Sequence, residues 1–286
     1  MHKARQIARA GMLVSALLAI LKISVGWLAN SAAVMADGFE SASDVFTSGL
    51  VLVGMTIAAR PADENHPYGH GRVEILTGLL LGFLLFDAGV LIAIHGWTGA
   101  AGPPTSPAEY AVWPVLVSIA AKSGLVTVKY RHGKRLNSSA LKADSANDAV
   151  DILSGIVALS ALLLTVKFPE RFPHADHYGA FVVGLIVTAT AIRVAWEAAM
   201  HLMDTMPDDH AMEDIRRAAA SVPQVAGVEK CFARKTGVKY HVDLHLEVDP
   251  DISVRDSHDI AQSVRQKVCE SLPWVADVLV HVEPAP

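Results

Sequence analysis

Charge is what this sequence has least of. Only 19% of its 286 residues are Asp, Glu, Lys or Arg, against 52% hydrophobic, and the mean hydropathy is +0.35. That is too apolar for an ordinary soluble enzyme and puts the membrane class first. Cysteine is nearly absent: Cys231 and Cys269 both fall in the polar C-terminal part, and neither belongs to a close-spaced pair. Neither a disulfide framework nor a zinc-finger module is therefore expected. Basic residues form no patch, and the net charge is −5, which gives no reason to invoke nucleic acid as a partner.

What is present is apolar and segmented. A helix needs roughly 20 apolar residues to cross the hydrocarbon core, and six segments qualify: Ala10–Ala29, Ala32–Ala59, Val73–Trp97, Tyr110–Tyr130, Ala149–Val166 with a polar lead-in from Ala140, and Tyr178–Met200. Asn30-Ser31, Arg60-Pro61 and the Pro-rich run from Gly102 to Pro107 punctuate them. The first segment follows basic residues but has no clean small-residue cleavage site, so it reads as a retained helix. Lys3, Arg5 and Arg9 precede it, Arg60 and Arg72 flank the second loop, and Arg131, Lys134, Arg135 and Lys142 fill the fourth. By the positive-inside rule both termini are expected in the cytoplasm, with Lys167 and Arg171 an imperfection in the fifth loop. Composition turns charge-rich after about residue 203, which predicts a transport domain over 1–207 and a soluble domain over 208–286.

The second span carries Asp37, Glu40 and Asp44, each costing at least a few kcal/mol at hydrocarbon depth. Glu40 and Asp44 are four residues apart and project from one helical face. The fifth span opens with Asp144, Asn147, Asp148 and Asp151, in which Asn147 and Asp151 repeat that spacing. Two helices presenting such pairs make a four-oxygen cage for a cation. The alternative is that these groups only hydrogen-bond helices together, a reading that stands about level for Asp37, Asp144 and Asp148. Between the second and third spans, Asp63, His66 and His70 supply a carboxylate and two imidazoles within Pro61-Ala62-Asp63-Glu64-Asn65-His66-Pro67-Tyr68-Gly69-His70-Gly71, a ligand set suited to zinc or a neighbouring divalent metal.

From Asp208 the pattern becomes αββαβ, with helices near Ala211–Ser221 and Val254–Ser271 and strands near Val228–Arg234, Tyr240–Val248 and Val275–Val282, a ferredoxin-like order. Val242, Leu244, Leu246 and Val248 alternate with His241, Asp243, His245, Glu247 and Asp249; in the last strand Val278, Val280 and Val282 alternate with His281 and Glu283. With His258 on the intervening helix, the polar face suggests either a metal-binding dimer interface or ordinary solvated strand residues.

Taken in order, the acidic second span, the His-Pro-Tyr-Gly-His-Gly loop, the acidic fifth span, the Leu202-Met203-Asp204 exit and the C-terminal module resemble the cation diffusion facilitators. These are proton-coupled zinc, iron or manganese efflux proteins of bacterial inner membranes, including ferrous-iron and magnetosome iron branches. The resemblance covers nearly the whole chain. It implies a homodimeric α-helical membrane protein of six spans with a cytoplasmic ferredoxin-like domain, and a metal/proton antiporter regulated by metal. Glu40, Asp44, Asn147 and Asp151 would form the transport site and Asp63, His66 and His70 a loop site. His245, His258, His281 and Glu283 would be cytoplasmic ligands, with Glu229 a weaker match, and Arg72 would pair with Asp204. Related zinc carriers commonly have Asp at the Glu40 position and His at the Asn147 position. The missing imidazole leans the site toward Mn²⁺ or Fe²⁺ over Zn²⁺.

Two rival functions fit less well. A metal-dependent membrane hydrolase would need a nucleophile–base pair, and none is apparent. A membrane-anchored sensor or scaffold would have no use for buried acid pairs. The expected protein is thus not an enzyme and has no enzymatic cofactor; its ligands are divalent metal, protons, the bilayer and a second copy of itself.

Overall fold

The structure is a computed structural model describing residues 2–104, 106–135, 139–237 and 239–286, without the side chains of residues 2–9, 133, 135 and 139–144. The side chains of Lys3, Arg5, Arg9, Arg135, Lys142 and Asp144 lie outside the described residues. Six long helices come first: α1 (His2–Leu28), α2 (Ala32–Ala58), α3 (Arg72–Ala100), α4 (Val112–Arg135, preceded by a 3-10 turn at Glu109–Ala111), α5 (Ser139–Lys167) and α6 (Ala175–Leu202). Each contains a stretch long and apolar enough to cross a membrane, and the six expected spans fall in them to within two residues.

Their burial is inverted relative to a water-soluble bundle. Leu17 and Trp27 of α1 are 68% and 72% exposed, while Lys22 on the same helix is 1% exposed. Bulky apolar side chains face outward, as an apolar surrounding requires. Small residues line the inside: Ala33 and Ala36 of α2 meet Ala158 and Ala161 of α5 and Ala180, Val183 and Val187 of α6. Small side chains let helix backbones approach where no hydrophobic effect drives association. Gly184 on α6 takes this furthest, since a Cβ there would overlap the Ala93 backbone of α3.

Two helix ends are set by non-glycine residues in the left-handed region. Asn30 (φ 55°) ends α1, with the Ser31 N–H donating to Gly26 O at 2.9 Å. Asp204 (φ 56°) ends α6, with the Thr205 N–H reaching Met200 O at 3.2 Å and its own N–H reaching His201 O at 3.4 Å. Both follow the six-to-one closing pattern of a helix C-terminus, and Asn and Asp tolerate that conformation better than other side chains with a Cβ. Ser31 then caps α2, accepting from the Val34 N–H at 3.3 Å. Asp176, fully buried at the start of α6, accepts from the Ser31 hydroxyl at 2.7 Å and from the Ala32 N–H at 2.5 Å.

The C-terminal module runs α7 (Asp209–Ala220), β1 (Gly227–Thr236), β2 (Lys239–Val248), α8 (Val254–Ser271), β3 (Val275–Pro284). β1 pairs antiparallel with β2, and α8 carries the chain to β3, parallel to β2 on its other side. Asp208 caps α7 by accepting from Ala211 N–H at 2.8 Å, and Ser253 caps α8 by accepting from Asp256 N–H at 3.1 Å. The two helices bury Met212, Ile215, Ala219, Ile260, Val264 and Val268 against Val242, Leu244, Leu246 and Val278, so the alternation expected in β2 and β3 is the one observed. The module is ferredoxin-like.

The chain divides into two compact units: Met1–Leu50 with Leu80–Val194, and Val51–Leu79 with Ala195–Pro286. The second takes in the ends of α2, α3 and α6 as well as the module, so it begins earlier in the chain than the expected boundary after residue 207. Within it, Tyr68 of the α2–α3 loop meets His241 edge-on at 5.9 Å, and Arg234 lies 5.9 Å over the Tyr68 ring.

Candidate metal centre

The face of α2 bearing Glu40 and Asp44 and the face of α5 bearing Asn147 and Asp151 line one small cavity, completed by Ser43, Val150, Leu85, Val187 and Thr190. It measures about 20 Å³, room for one water-sized body. Glu40 is 6% exposed; its Oε1 accepts from Ser154 Oγ at 2.8 Å, and its Oε2 has no hydrogen-bond partner among the described residues. A buried carboxylate oxygen without a donor is costly, and a cation would relieve it. Asp44 contacts both Asp151 and Asn147 across the cavity.

Three lysines sit among these acids. Lys122 on α4, 2% exposed, contacts Asp151 directly and lies 3.0 Å from Asp148 and 3.9 Å from Asp44. Lys129, seven residues on and so on the same face of α4, lies 2.5 Å from the other oxygen of Asp148. Lys22 on α1 pairs with Asp37 at 2.9 Å and donates to Ser41 at 2.7 Å. Asp37 and Asp148, whose sequence readings stood level between ligand and helix contact, are thus engaged with lysines. Asp148 and Asp151, three residues apart, present their carboxylates together to α4.

The α2–α3 loop gathers its three expected ligands. Asp63 Oδ1 accepts from the backbone N–H groups of Asn65 at 3.0 Å and His66 at 2.7 Å, which folds the loop back on itself. The His66 ring adds a hydrogen bond at 3.0 Å and holds the Asp63 carboxyl below the usual carboxylate range. His70 Nδ1 lies 3.3 Å from the Pro61 carbonyl, which only accepts, so Nδ1 carries a proton there and the neutral ring has its lone pair on Nε2. That lone pair faces Asp63 Oδ2 at 3.5 Å. Two acceptors so placed suit a cation between them, oriented by the carbonyl behind the ring.

In the module, register pairs His245 with His281 and Glu247 with Glu283. The two rings lie 5.0 Å apart, His245 Nδ1 is 2.6 Å from Glu283 Oε1, and His281 Nε2 is 3.5 Å from the same oxygen. Contacts with the Glu229 and His245 side chains hold Glu283 below the ordinary glutamate range. Glu229 occupies a bulge in β1 between Val228 and Lys230, which turns it toward the cluster. Among the described residues, the ligand atoms of Asp63, His66 and His70 and those of His245, His281 and Glu283 each close to within 4.8 Å. Glu40, Asp44 and Asp151 are not drawn together so closely, and His258 joins neither group. Its place follows from helix period: Ile260 faces the core, and two residues away, about 200° around α8, His258 is exposed.

Arg72 at the start of α3 donates to Asp204 at 2.9 Å, and the left-handed turn at Asp204 aims that carboxylate at it. Both side chains are about half exposed. A pair of that kind contributes about 0.2–1 kcal/mol. Arg72→Ala is expected to leave the purified protein folded, with a thermal midpoint lowered by no more than about 4 °C; a larger fall would show the pair to be structural.

Residues 8–203 match the cation efflux transmembrane domain family and residues 207–285 match the cation efflux protein cytoplasmic domain family. The chain belongs to the cation diffusion facilitator family. It is 34% identical over 272 residues to an uncharacterized transporter of Methanocaldococcus jannaschii, covering 93% of each chain. It is 28% identical to the manganese efflux system protein MneP of Bacillus subtilis, over 98% of this chain and 96% of that one. Magnetosome protein MamB of Magnetospira sp. is 30% identical over 91% of this chain and 88% of its own. As a cation diffusion facilitator the chain is a multi-pass membrane protein that exports metal cations and carries a cytoplasmic metal-binding domain. In this facilitator the buried lysines escape a reading based on acids alone, yet the signal is present: Lys22, Lys122 and Lys129 stand within apolar spans, where an ammonium needs a carboxylate as much as a carboxylate needs a cation.

Proposed function

We propose that this facilitator is a divalent transition-metal/proton antiporter that works as a homodimer, with its cargo held by Glu40, Asp44, Asn147 and Asp151. The observation carrying this reading is the single cavity that those four side chains line between α2 and α5. An ion entering from the cytoplasm finds oxygen ligands; protons compete for the same lone pairs and displace it on the far side. An all-oxygen site takes harder ions such as Mn²⁺ or Fe²⁺ more readily than one bearing imidazole, while zinc still binds. The manganese efflux name of one relative agrees with that preference.

Residues 1–207 form the transport domain and 208–286 the cytoplasmic domain in this proposal, with both termini in the cytoplasm of an inner-membrane protein. Metal at His245, His281 and Glu283 would draw two protomers together and favour transport by differential binding; Asp63, His66 and His70 would hold a further ion at the loop. Arg72 and Asp204 would brace the cytoplasmic ends of α3 and α6.

Proteoliposomes carrying the full chain test this with Mn²⁺, Fe²⁺, Zn²⁺ and Co²⁺ as cargo and a pH dye inside. Metal-dependent proton flux is the expected result, and metal uptake with no proton movement would sink the antiport. Asn147→His places an imidazole in the cage and is expected to move the Zn²⁺-to-Mn²⁺ rate ratio upward by about tenfold. An unchanged ratio would remove Asn147 from the ligand set.

A further inference from the structure

The transport cavity has a cation of its own. Lys122 brings its ammonium against Asp151 and to 3.9 Å from Asp44, two of the residues that line the cavity. Its third carboxylate, Asp148, is 3.0 Å away and already holds Lys129 at 2.5 Å on its other oxygen. Asp148 is thus shared by two lysines, while Lys122 also faces the cage acids Asp44 and Asp151. When Glu40, Asp44 and Asp151 are all deprotonated they carry three negative charges and Lys122 one positive, leaving two negative charges, which one divalent ion neutralises.

We propose that Lys122 is a tethered counter-cation and specificity-determining residue: it fills the positive role in the ion-free carrier and withdraws onto Asp148 when a metal ion takes Asp44 and Asp151. The proposal rests on the assignment of the cage as the transport site. Two features support the exchange. Asp44 and Asp151 line the cavity and also face the Lys122 ammonium, so an entering ion and the ammonium compete for the same carboxylates. Lysine has a flexible four-carbon stem carrying a compact charge, and its second partner lies one helical turn along α5 from its first.

The exchange has two consequences. Without metal the cage is never a bare set of carboxylates, so the carrier changes conformation with less uncompensated charge than the acids alone would carry. A monovalent ion entering beside Lys122 leaves one negative charge unbalanced, while a divalent ion leaves none, which favours the divalent cargo. The lysine remains charged throughout and only changes partners.

Equilibrium Mn²⁺ binding to the full-length protein in lipid nanodiscs, by calorimetry, tests this. The binding class lost in Asp151→Ala defines the transport site. At that class Lys122→Met is expected to bind Mn²⁺ about tenfold tighter or more, because a unit charge a few Å away has been removed at an effective dielectric of about 20. Its proteoliposome turnover is expected to fall, since protons must then displace a more tightly held ion without the ammonium's help. A role confined to joining α4 and α5 would leave binding equal or weaker, and that result overturns the proposal. Lys122→Gln makes the same comparison with hydrogen-bond donors retained. If both fail to fold while Lys122→Arg folds and binds normally, helix joining alone explains the charge and the exchange is rejected. If Asp44→Ala and Asp151→Ala remove no binding class from the otherwise unaltered protein, it is the cage assignment that fails.

Discussion

Asp151→Ala is expected to lower metal-driven flux by about 100-fold or more, while the protein still reaches the membrane. Loss of a group that merely orients a ligand costs about 10–100-fold in metal affinity, and Asp151 is proposed as a ligand itself. Its removal would also leave Asp44 facing the cavity without its neighbour and leave Lys122 with Asp148 and Asp44 only. The comparison with Asp151→Asn is informative because the amide keeps the volume and one oxygen but loses the charge. Flux should be intermediate or absent there, and fully absent in the alanine variant. Initial rates in proteoliposomes, corrected for reconstituted protein, decide the matter; a rate for Asp151→Ala within twofold of the parent would remove Asp151 from the transport site.

The second large effect is on stability. Asp176 is fully buried, with the Ser31 hydroxyl and the Ala32 N–H on its carboxylate and the Ala33 N–H at 3.4 Å, so one side chain of α6 satisfies the N-terminus of α2. Its own backbone N–H donates to Thr165 Oγ1 of α5 at 2.8 Å, which joins three helices at one point. Asp176→Ala strips the acceptor from several buried donors at once and removes a negative charge from the positive end of a helix dipole. The expected cost is about 2–4 kcal/mol, from the lost cap and the donors left unsatisfied. Detergent-solubilised protein should unfold at a clearly lower temperature, and Asp176→Asn, which retains one oxygen, should recover part of the loss. Equal midpoints for the parent and Asp176→Ala would mean that water replaces the carboxylate without penalty.

Much of the architecture is legible because it rests on local rules. Span length, punctuation by Asn30-Ser31 and Arg60-Pro61, and the period-two pattern of β2 and β3 are properties of neighbouring residues, and the observed elements follow them closely. The loop trio is legible for the same reason, since Asp63, His66 and His70 are close in sequence and the Asp63 turn brings their ligand atoms together. What escapes is long-range. Nothing near Asp176 announces that its partners are 143 to 145 residues away. His258 has the right residue type, but the helix phase that sends it outward depends on which face of α8 meets the sheet. The acids of α2 and α5 can be read as cation ligands from spacing alone, whereas the partition of Asp37 and Asp148 to lysines depends on how α1 meets α2 and α4 meets α5.

Those lysine pairs have a consequence for how the protein is made. Lys22 finds Asp37 across the first helical hairpin, and Lys122 and Lys129 find Asp148 and Asp151 across the hairpin of α4 and α5. An intramembrane lysine alone costs about 2.5–3.5 kcal/mol at a helix centre on insertion scales, so α1 and α4 leave the translocon at a disadvantage until the next helix arrives. Each hairpin, not each helix, is then the smallest piece of chain in which these lysines meet a balancing carboxylate. Nascent chains released just after α1 or α4 should therefore integrate less completely than those released after α2 or α5.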